Sequence, residues 1–213
     1  MGKAEDAERR LRALYDFERQ LAAGRVVAGT DEAGAGPLAG PVVAAAVILP
    51  ADPIPGIDDS KQLSEKKREE LYLTIKERAV AYAVVEVSAD EIDRLNILQA
   101  CLKGMSEAVK ALSTKPDFVL TDARKLPNLG IAHEAIVKGD ARCASIAAAS
   151  ILAKVHRDHL MIALDQEYPG YGFAKHKGYG TEEHIKALAA LGPSIVHRKS
   201  FAPVNNKQLT FGF

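Results

Sequence analysis

Residues 26–41 of this chain read VVAGTDEAGAGPLAGP, and residues 42–49 read VVAAAVIL. The apolar residues before Asp31 and after Pro41 predict two buried strands, which the turn rich in Gly and Pro would pair as a hairpin. The first strand ends in adjacent carboxylates, Asp31 and Glu32. Because burying an unpaired carboxylate is costly, these two acids indicate a metal ion. The alternative is a capped turn with two solvated acids.

The glycines of this turn do not match the two common phosphate-binding motifs. Gly34 and Gly36 begin a G-x-G pattern, but Ala39 stands where the dinucleotide fingerprint has its third glycine. No Gly-Lys-Ser/Thr sequence follows, so a P-loop is excluded. Asp31 and Glu32 would also repel a phosphate unless a divalent cation stood between them.

Composition sets the size of the domain but not its ligand. The 213 residues, 47% of them hydrophobic, suffice for one large domain or one domain with an appendage. Lys and Arg number 28, as do Asp and Glu, so overall charge does not indicate a nucleic-acid binder. From Lys138 onward, ten Lys and Arg face six Asp and Glu, which leaves this part at +4 and the preceding part at −4. Such asymmetry is compatible with a phosphate-facing surface.

Cysteine usage and hydropathy indicate the compartment. The two cysteines, Cys101 and Cys143, form neither a disulfide framework nor a zinc-ligand spacing, which favours a reducing environment. The N-terminal segment, with Glu5, Asp6 and Glu8, does not resemble a signal peptide. The longest apolar runs, about eight to nine residues, fall short of the roughly 18 needed to cross a bilayer. We therefore expect a cytoplasmic protein.

Further elements are predicted from apolar periodicity and capping residues. The predicted helices cover residues 4–23, 64–79, 88–112 with a break near Asn96, 145–168 and 181–191. The predicted strands cover residues 82–87, 117–122 and 135–140. The first of these strands would extend the hairpin into a meander, whereas the later two alternate with helices and predict a parallel part of the sheet.

Acids end the two later strands as well. Asp122 and Asp140 each follow a short apolar segment. In open α/β sheets, active groups gather at the carboxyl ends of parallel strands. We therefore predict that Asp122 and Asp140 converge with Asp31 and Glu32, although any one of these acids alone is more often an ordinary turn residue.

Two further segments have alternative interpretations. The helix predicted from Ser145 begins just after Asp140, and its N-terminus favours an anion, either a carboxylate or a substrate phosphate. Residues 175–180, KHKGYG, combine cations with Tyr179. This composition is typical of a loop that contacts a nucleic-acid backbone, and equally of an ordinary exposed loop.

Taken together and in order, these motifs resemble the bacterial ribonuclease HII family (type 2 ribonuclease H) over roughly residues 26–204. The resemblance rests on DEAG at 31–34, DSK at 59–61, Asp122, KGD at 138–140, AAASILAKV at 147–155, RD at 157–158, HKGY at 176–179 and HRKSF at 197–201. Each fragment alone is weak, whereas all of them in this order are highly specific.

The resemblance implies an α/β fold of the ribonuclease H-like type, a five-stranded mixed sheet flanked by helices, with a small C-terminal helical segment. It divides the chain into an N-terminal helix (1–25), a catalytic core (26–180), the C-terminal helical segment (181–204) and a tail (205–213). Nothing in the sequence demands more than a monomer, which is the state we expect.

The resemblance further implies a metal-dependent endonuclease. Such an enzyme hydrolyses RNA in RNA–DNA hybrids and incises 5′ of ribonucleotides embedded in duplex DNA, leaving 3′-hydroxyl and 5′-phosphate ends. By motif match, the catalytic, metal-binding carboxylates are Asp31, Glu32, Asp122 and Asp140. Two Mg²⁺ or Mn²⁺ ions suit these ligands, because hard cations prefer carboxylate oxygens and a metal pair serves both ends of an in-line displacement.

The resemblance also implies the residues that bind substrate. Lys61 would lie near the scissile phosphate, and the 2′-hydroxyl would be read by the backbone amides of Gly34, Ala35 and Gly36 and by Tyr179. The family usually carries arginine between the two glycines, where this chain has Ala35. The backbone donors remain, so we expect reading of the 2′-hydroxyl to persist with substrate binding weaker by about 1–3 kcal/mol.

Two other functions remain compatible with the sequence: a hybrid-binding module without catalysis, and a different nuclease or recombinase on the same fold. The last residues, QLTFGF at 208–213, resemble the short peptides by which DNA-processing proteins bind sliding clamps. Alternatively, this tail packs on its own domain.

Overall fold

The structure, a computed structural model, describes residues 2–205. Its five strands form one mixed sheet in the order β3-β2-β1-β4-β5. The strands are β1 (Val27–Ala33), β2 (Val42–Ile48), β3 (Ala81–Val87), β4 (Phe118–Asp122) and β5 (Ala132–Ile136). β1 pairs antiparallel with β2, and β2 with β3, whereas β1, β4 and β5 run parallel. The predicted hairpin, meander and parallel part of the sheet are confirmed.

Seven α-helices and one 3₁₀ turn are formed by the described residues. They are α1 (Lys3–Ala22), α2 (Glu65–Arg78), α3 (Ala89–Leu95), α4 (Ile97–Lys110), α5 (Ala144–Glu167), α6 (Phe173–His176), α7 (Glu182–Leu191) and the turn Gly139–Ala141. The predicted break at Asn96 is confirmed: Asn96 has a φ of 71°, and its side chain accepts a hydrogen bond from the Gln99 amide at 3.1 Å, which caps α4.

Helices cover both faces of the sheet. Alternate residues of β2 accordingly pack in two different apolar clusters. Val43, Ala45 and Val47 pack with the small residues of α5. Ala44 and Ala46 pack with α4 on the opposite face. A strand that is buried on both faces needs apolar residues at every position, which explains the sequence of residues 42–48. No helix within residues 2–205 is long and apolar enough to cross a membrane.

The N-terminus of α5 lies directly against β1. A Cβ atom on Gly29 would lie 2.2 Å from the carbonyl carbon of Ser145, so only glycine permits this approach. The anion at this helix end is a carboxylate of the protein: Glu18 Oε2 accepts hydrogen bonds from the Ser145 amide at 2.7 Å and from its hydroxyl at 2.8 Å. Of the two predicted alternatives, the carboxylate is therefore correct.

One predicted boundary near the acids was wrong. Asp31 and Glu32 lie at the end of β1 as predicted, and pairing with β2 continues one residue further, to Ala33. β5 ends at Ile136, and Asp140 follows in the 3₁₀ turn, not at the strand end. Lys138, with a left-handed φ of 55°, turns the chain into that 3₁₀ segment.

Residues 175–180, predicted as a loop, are helical at their start. Residues 173–176 form the single turn α6, and the Lys175 ammonium pairs with Glu183 at 2.6 Å on the protein surface. Lys177 Nζ donates to the carbonyl of Ala174. Both lysines of this segment thus have a partner within the protein, although Lys175 stays exposed. The division into four segments stays a prediction, and the proposed clamp-binding residues 208–213 lie outside the described part of the chain.

Candidate active site

Three of the four predicted acids line one cavity of about 290 Å³. Asp31 and Glu32 come from β1, and Asp122 comes from the end of β4. The two strands are parallel neighbours, with Thr30 opposite Thr121, so their carboxyl ends meet at the same edge of the sheet. The cavity is also lined by Ala33, Gly34, Ser60, Lys61, Arg68, Ser150, Lys154, Arg157 and Tyr179.

The fourth acid, Asp140, does not line the cavity but is bound to Lys61, which does. Its carboxylate is 5% exposed and accepts a hydrogen bond from Lys61 Nζ at 2.5 Å. Asp140 also lies near enough to Asp122 for its charge to raise the pKa of that carboxyl, and the Gly139 amide donates to Asp122 Oδ1 at 2.7 Å. The 3₁₀ turn therefore holds Asp140 beside the end of β4.

The acids are buried close together, so their negative charges repel one another. Burial, followed by the charges of Glu32 and Asp122, raises the pKa of Asp31 well above its ordinary value. Burial also raises the pKa of Asp122, while the bond from the Gly139 amide opposes this shift. The pKa of Glu32 is raised by burial, against the opposing charge of Arg124 at 3.4 Å. The folded chain therefore holds like charges together at a cost in stability.

Hydrogen bonds fix the orientation of these carboxylates. The Asp31 carboxylate accepts from the amide of Glu32 at 2.7 Å and from the Ser150 hydroxyl. The Ser150 and Ser60 hydroxyl oxygens are 3.0 Å apart. Burial, followed by the charge of Glu32, raises the pKa of Cys101 to about 12. Cys101 therefore stays a thiol and donates a hydrogen bond to Glu32. No sequence pattern indicates these supporting roles of Ser60, Ser150 and Cys101.

The donor set fits a divalent cation of the Mg²⁺ or Mn²⁺ type. All four predicted ligands offer hard carboxylate oxygens, and a cation would compensate the burial and the mutual repulsion that raise the pKa values of Asp31, Glu32 and Asp122. As they stand, no three His, Cys, Asp or Glu side chains among residues 2–205 are close enough to enclose an ion. In this arrangement the Asp140 carboxylate is bound by Lys61 Nζ.

A family model described as Ribonuclease HII matches residues 28–204. The chain belongs to the ribonuclease HII family. The ribonuclease HII of Desulfitobacterium hafniense (strain Y51) is 57% identical over 201 residues, which cover 93% of this chain and 77% of that protein. Membership identifies an endonuclease of the type 2 ribonuclease H class, which cleaves the RNA of RNA–DNA hybrids.

Solved structures agree with this assignment and confirm the ribonuclease H-like fold. The ribonuclease H2 from Pyrococcus horikoshii OT3 superposes with a TM-score of 0.71 at 28% identity, covering 84% of this chain and 95% of that one. The RNase HII of Archaeoglobus fulgidus, solved in a complex with PCNA, gives a TM-score of 0.70 at 28% identity, covering 83% and 95%.

In this ribonuclease HII family member, three of the five predicted substrate-binding residues line the cavity. Gly34, Lys61 and Tyr179 line it. A Cβ atom on Gly36 would lie 3.7 Å from Tyr179 Cε1, so the tyrosine ring rests against the turn. Ala35 differs: its half-buried side chain packs against the apolar cluster that includes Val42 and is not part of the cavity lining.

Two buried arginines, to which the sequence assigned no separate role, shape the glycine turn. Arg157 donates to the carbonyls of Ala39, Pro41 and Lys177 at 3.0–3.1 Å. Arg198 donates to the carbonyls of Gly34, Ala35 and Gly40 at 2.6–3.0 Å. Within residues 2–205, neither guanidinium forms an ion pair. Both lie in motifs that carry the family resemblance, RD at 157–158 and HRKSF at 197–201, which was the available signal.

Gly34 depends on this arrangement. Its φ is +89°, and a Cβ atom would lie 2.0 Å from Arg157 Nε, so glycine is required at this position. Arg198 binds the carbonyls of Gly34 and Ala35, and the main-chain amides of the turn take no part in this contact. Those of Gly34, Ala35 and Gly36 have no hydrogen-bond partner among the described residues.

Replacing Asp31 by Asn tests the repulsion among the acids. Because the folded-state pKa of Asp31 is raised, the carboxylate costs stability that grows as pH rises from about 4 through that raised pKa. We expect Asp31→Asn to raise the Tm by a few degrees at pH 8 in metal-free buffer, and by less at pH 5. Calorimetric melting measures this, with the exposed Asp16→Asn as the control. A Tm unchanged at both pH values would contradict the repulsion.

Proposed function

We propose that this chain incises duplex DNA on the 5′ side of embedded ribonucleotides, and hydrolyses RNA in RNA–DNA hybrids, in a reaction that requires Mg²⁺ or Mn²⁺. The products would carry 3′-hydroxyl and 5′-phosphate ends. The observation that supports this most directly is the shared cavity of Asp31, Glu32 and Asp122, with Asp140 bound to a cavity lysine. Family membership supports the reaction class.

In this proposal the four carboxylates hold the divalent metal. When bound, the metal would activate the attacking water and stabilise the leaving oxygen. Lys61 has a separate role, because its side chain is 73% exposed and reaches Asp140 from the solvent side. With Asp140 engaged as a metal ligand, the Lys61 ammonium would be free to contact the scissile phosphate as a point charge.

Selection of RNA would rest on the glycine turn and Tyr179. The amides of Gly34, Ala35 and Gly36 are available as donors, and the Tyr179 ring lies beside Gly36 at the cavity. A ribose entering here would meet backbone donors on one side and an aromatic ring on the other. The 2′-hydroxyl, both donor and acceptor, distinguishes RNA from DNA at such a site.

The sliding-clamp contact concerns residues 208–213 and lies outside the described part of the chain. The complex of the Archaeoglobus fulgidus relative with PCNA supports it. The cytoplasmic location and the monomeric state also stay predictions.

Cleavage of a DNA duplex with one ribonucleotide tests the proposed function. We expect incision 5′ of the ribonucleotide with Mg²⁺ or Mn²⁺ and none with EDTA. Asp140→Asn should lower turnover at least about 100-fold, since even a supporting contact of a metal ligand is worth 10- to 100-fold. Asp16→Asn, an exposed acid on α1, serves as the matched control.

Two outcomes would reject the proposed function. Binding of the hybrid without incision would indicate a binding module. Incision of an all-DNA duplex at a comparable rate would indicate another nuclease on the same fold.

Restoring the arginine of the family tests the effect of Ala35. We expect Ala35→Arg to strengthen substrate binding by about 1–3 kcal/mol, because a guanidinium makes charge-assisted contacts to phosphate. The measurement is the KM for the single-ribonucleotide duplex at constant salt. Ala35→Lys, which adds the charge without the planar donors, is the control. No gain with arginine would reject the hypothesis.

A further inference from the structure

Three histidines form a buried cluster behind Tyr179, away from the carboxylates. His184 and His197 are 0% and 1% exposed, and His176 is 8% exposed. The rings of His176 and His184 stack with centroids 4.5 Å apart. The Nε2 atoms of His184 and His197 are 3.1 Å apart. The cluster joins α6, α7 and the segment after α7, and the proposed chemistry makes no use of it.

The hydrogen bonds determine the tautomers of His197 and His184. The Ser194 amide lies 3.0 Å from His197 Nδ1, and a backbone N–H only donates, so Nδ1 accepts. A neutral His197 then carries its proton on Nε2 and donates to His184 Nε2. His184 must in turn carry its proton on Nδ1, which donates to the carbonyl of Tyr179 at 2.9 Å. The bonds thus run in one direction, from Ser194 to Tyr179.

His176 holds the preceding residues in a similar way. The Gly178 amide donates to its Nδ1 at 3.2 Å, so its Nε2 carries the proton and donates to the carbonyl of Tyr171 at 2.8 Å. The Tyr179 amide donates to the His176 carbonyl at 2.9 Å. The ring of His184 therefore binds the Tyr179 carbonyl, which also accepts from the Thr181 amide at 2.8 Å, and the ring of His176 binds the amide of the preceding residue, Gly178.

This arrangement requires neutral rings. Burial, followed by the neighbouring His184, lowers the pKa of His197 to about 4, and burial also lowers the pKa of His184. A second proton on His184 would set two N–H groups against each other across the 3.1 Å between the Nε2 atoms. A second proton on His197, at Nδ1, would face the Ser194 amide at 3.0 Å.

The Tyr179 side chain itself has little to hold it. It is 47% exposed, and its ring rests against Gly36 at the rim of the cavity. The Leu38 amide donates to the carbonyl of Gly178 at 2.8 Å, which ties this segment to the glycine turn. The position of the ring is consequently set by its main chain.

We propose that His197, His184 and His176 are positioning residues that fix the main chain of Tyr179 and so aim its ring at the ribose. The inference rests on the proposed function, since it assigns Tyr179 to sugar recognition. The histidine rings do not touch substrate; they act through the carbonyl of Tyr179 and the amide of Gly178.

The ring tautomers test the relay without any substrate. Long-range ¹H–¹⁵N correlation spectra of the full chain at pH 7 should show His184 protonated on Nδ1, and His176 and His197 protonated on Nε2. A doubly protonated ring, or the opposite tautomer at His184, would overturn the relay. This result stands independently of whether the chain incises ribonucleotides.

Variants of His184 then test the positioning role. We expect His184→Phe, which keeps a ring and removes both bonds, to lower kcat/KM for the single-ribonucleotide duplex about tenfold. His184→Asn keeps a donor for the Tyr179 carbonyl and should recover part of the loss. His156→Phe, a partly exposed histidine of α5, is the matched control.

A double-variant cycle distinguishes positioning from general destabilisation. If His184 acts through Tyr179, then His184→Phe should cost little further activity in a Tyr179→Ala background. Additive losses, or equal losses in the Asn and Phe variants, would overturn the proposal. If the wild-type chain itself fails to incise, the proposed function fails, and the tautomer measurement alone decides the relay.

Discussion

Repulsion between carboxylates at the ends of β1 and β4 is the constraint on which the rest of the structure depends. Asp31 is buried beside Glu32 and Asp122, and all three have raised pKa values. A fold does not bring like charges together in a poorly solvated place without another source of stability. Here the sheet supplies that stability, because β1 and β4 are paired with their neighbours along their length and covered on both faces.

Helix α5 connects the acids to the residues around them. Helix α5 contacts the backbone of β1 at Gly29, and it also supplies Ser150 to the Asp31 carboxylate. Arg157 of the same helix binds the glycine turn and the carbonyl of Lys177, so one element fixes both the acids and the surroundings of Tyr179. The repelling acids and the contacts that hold their surroundings are thus linked through α5, an arrangement common at functional sites.

Much of this architecture could be predicted from sequence, because local signals and tertiary structure agree. The apolar run 42–48, between Gly/Pro turns, predicts a buried strand, and Ser64, Ser88 and Thr181 cap the helices they were predicted to cap. Asp140 was misplaced because the left-handed Lys138 has no local sequence signal. The roles of Arg157 and Arg198 depend on carbonyls distant in sequence, which no periodicity reveals. Acids at the ends of apolar strands indicated the four carboxylates, and the family resemblance implied that they bind metal, which stays a prediction.

The most direct measurement is the anomalous difference density of crystals of this protein soaked in Mn²⁺. We predict density within bonding distance of the carboxylate oxygens of Asp31 and Asp122, at about 2.0–2.6 Å as for other hard cations on oxygen ligands. We also predict that Lys61 withdraws from Asp140. Full Mn²⁺ occupancy elsewhere on the protein, with the carboxylates free of density and Lys61 still bound to Asp140, would contradict the proposed metal site.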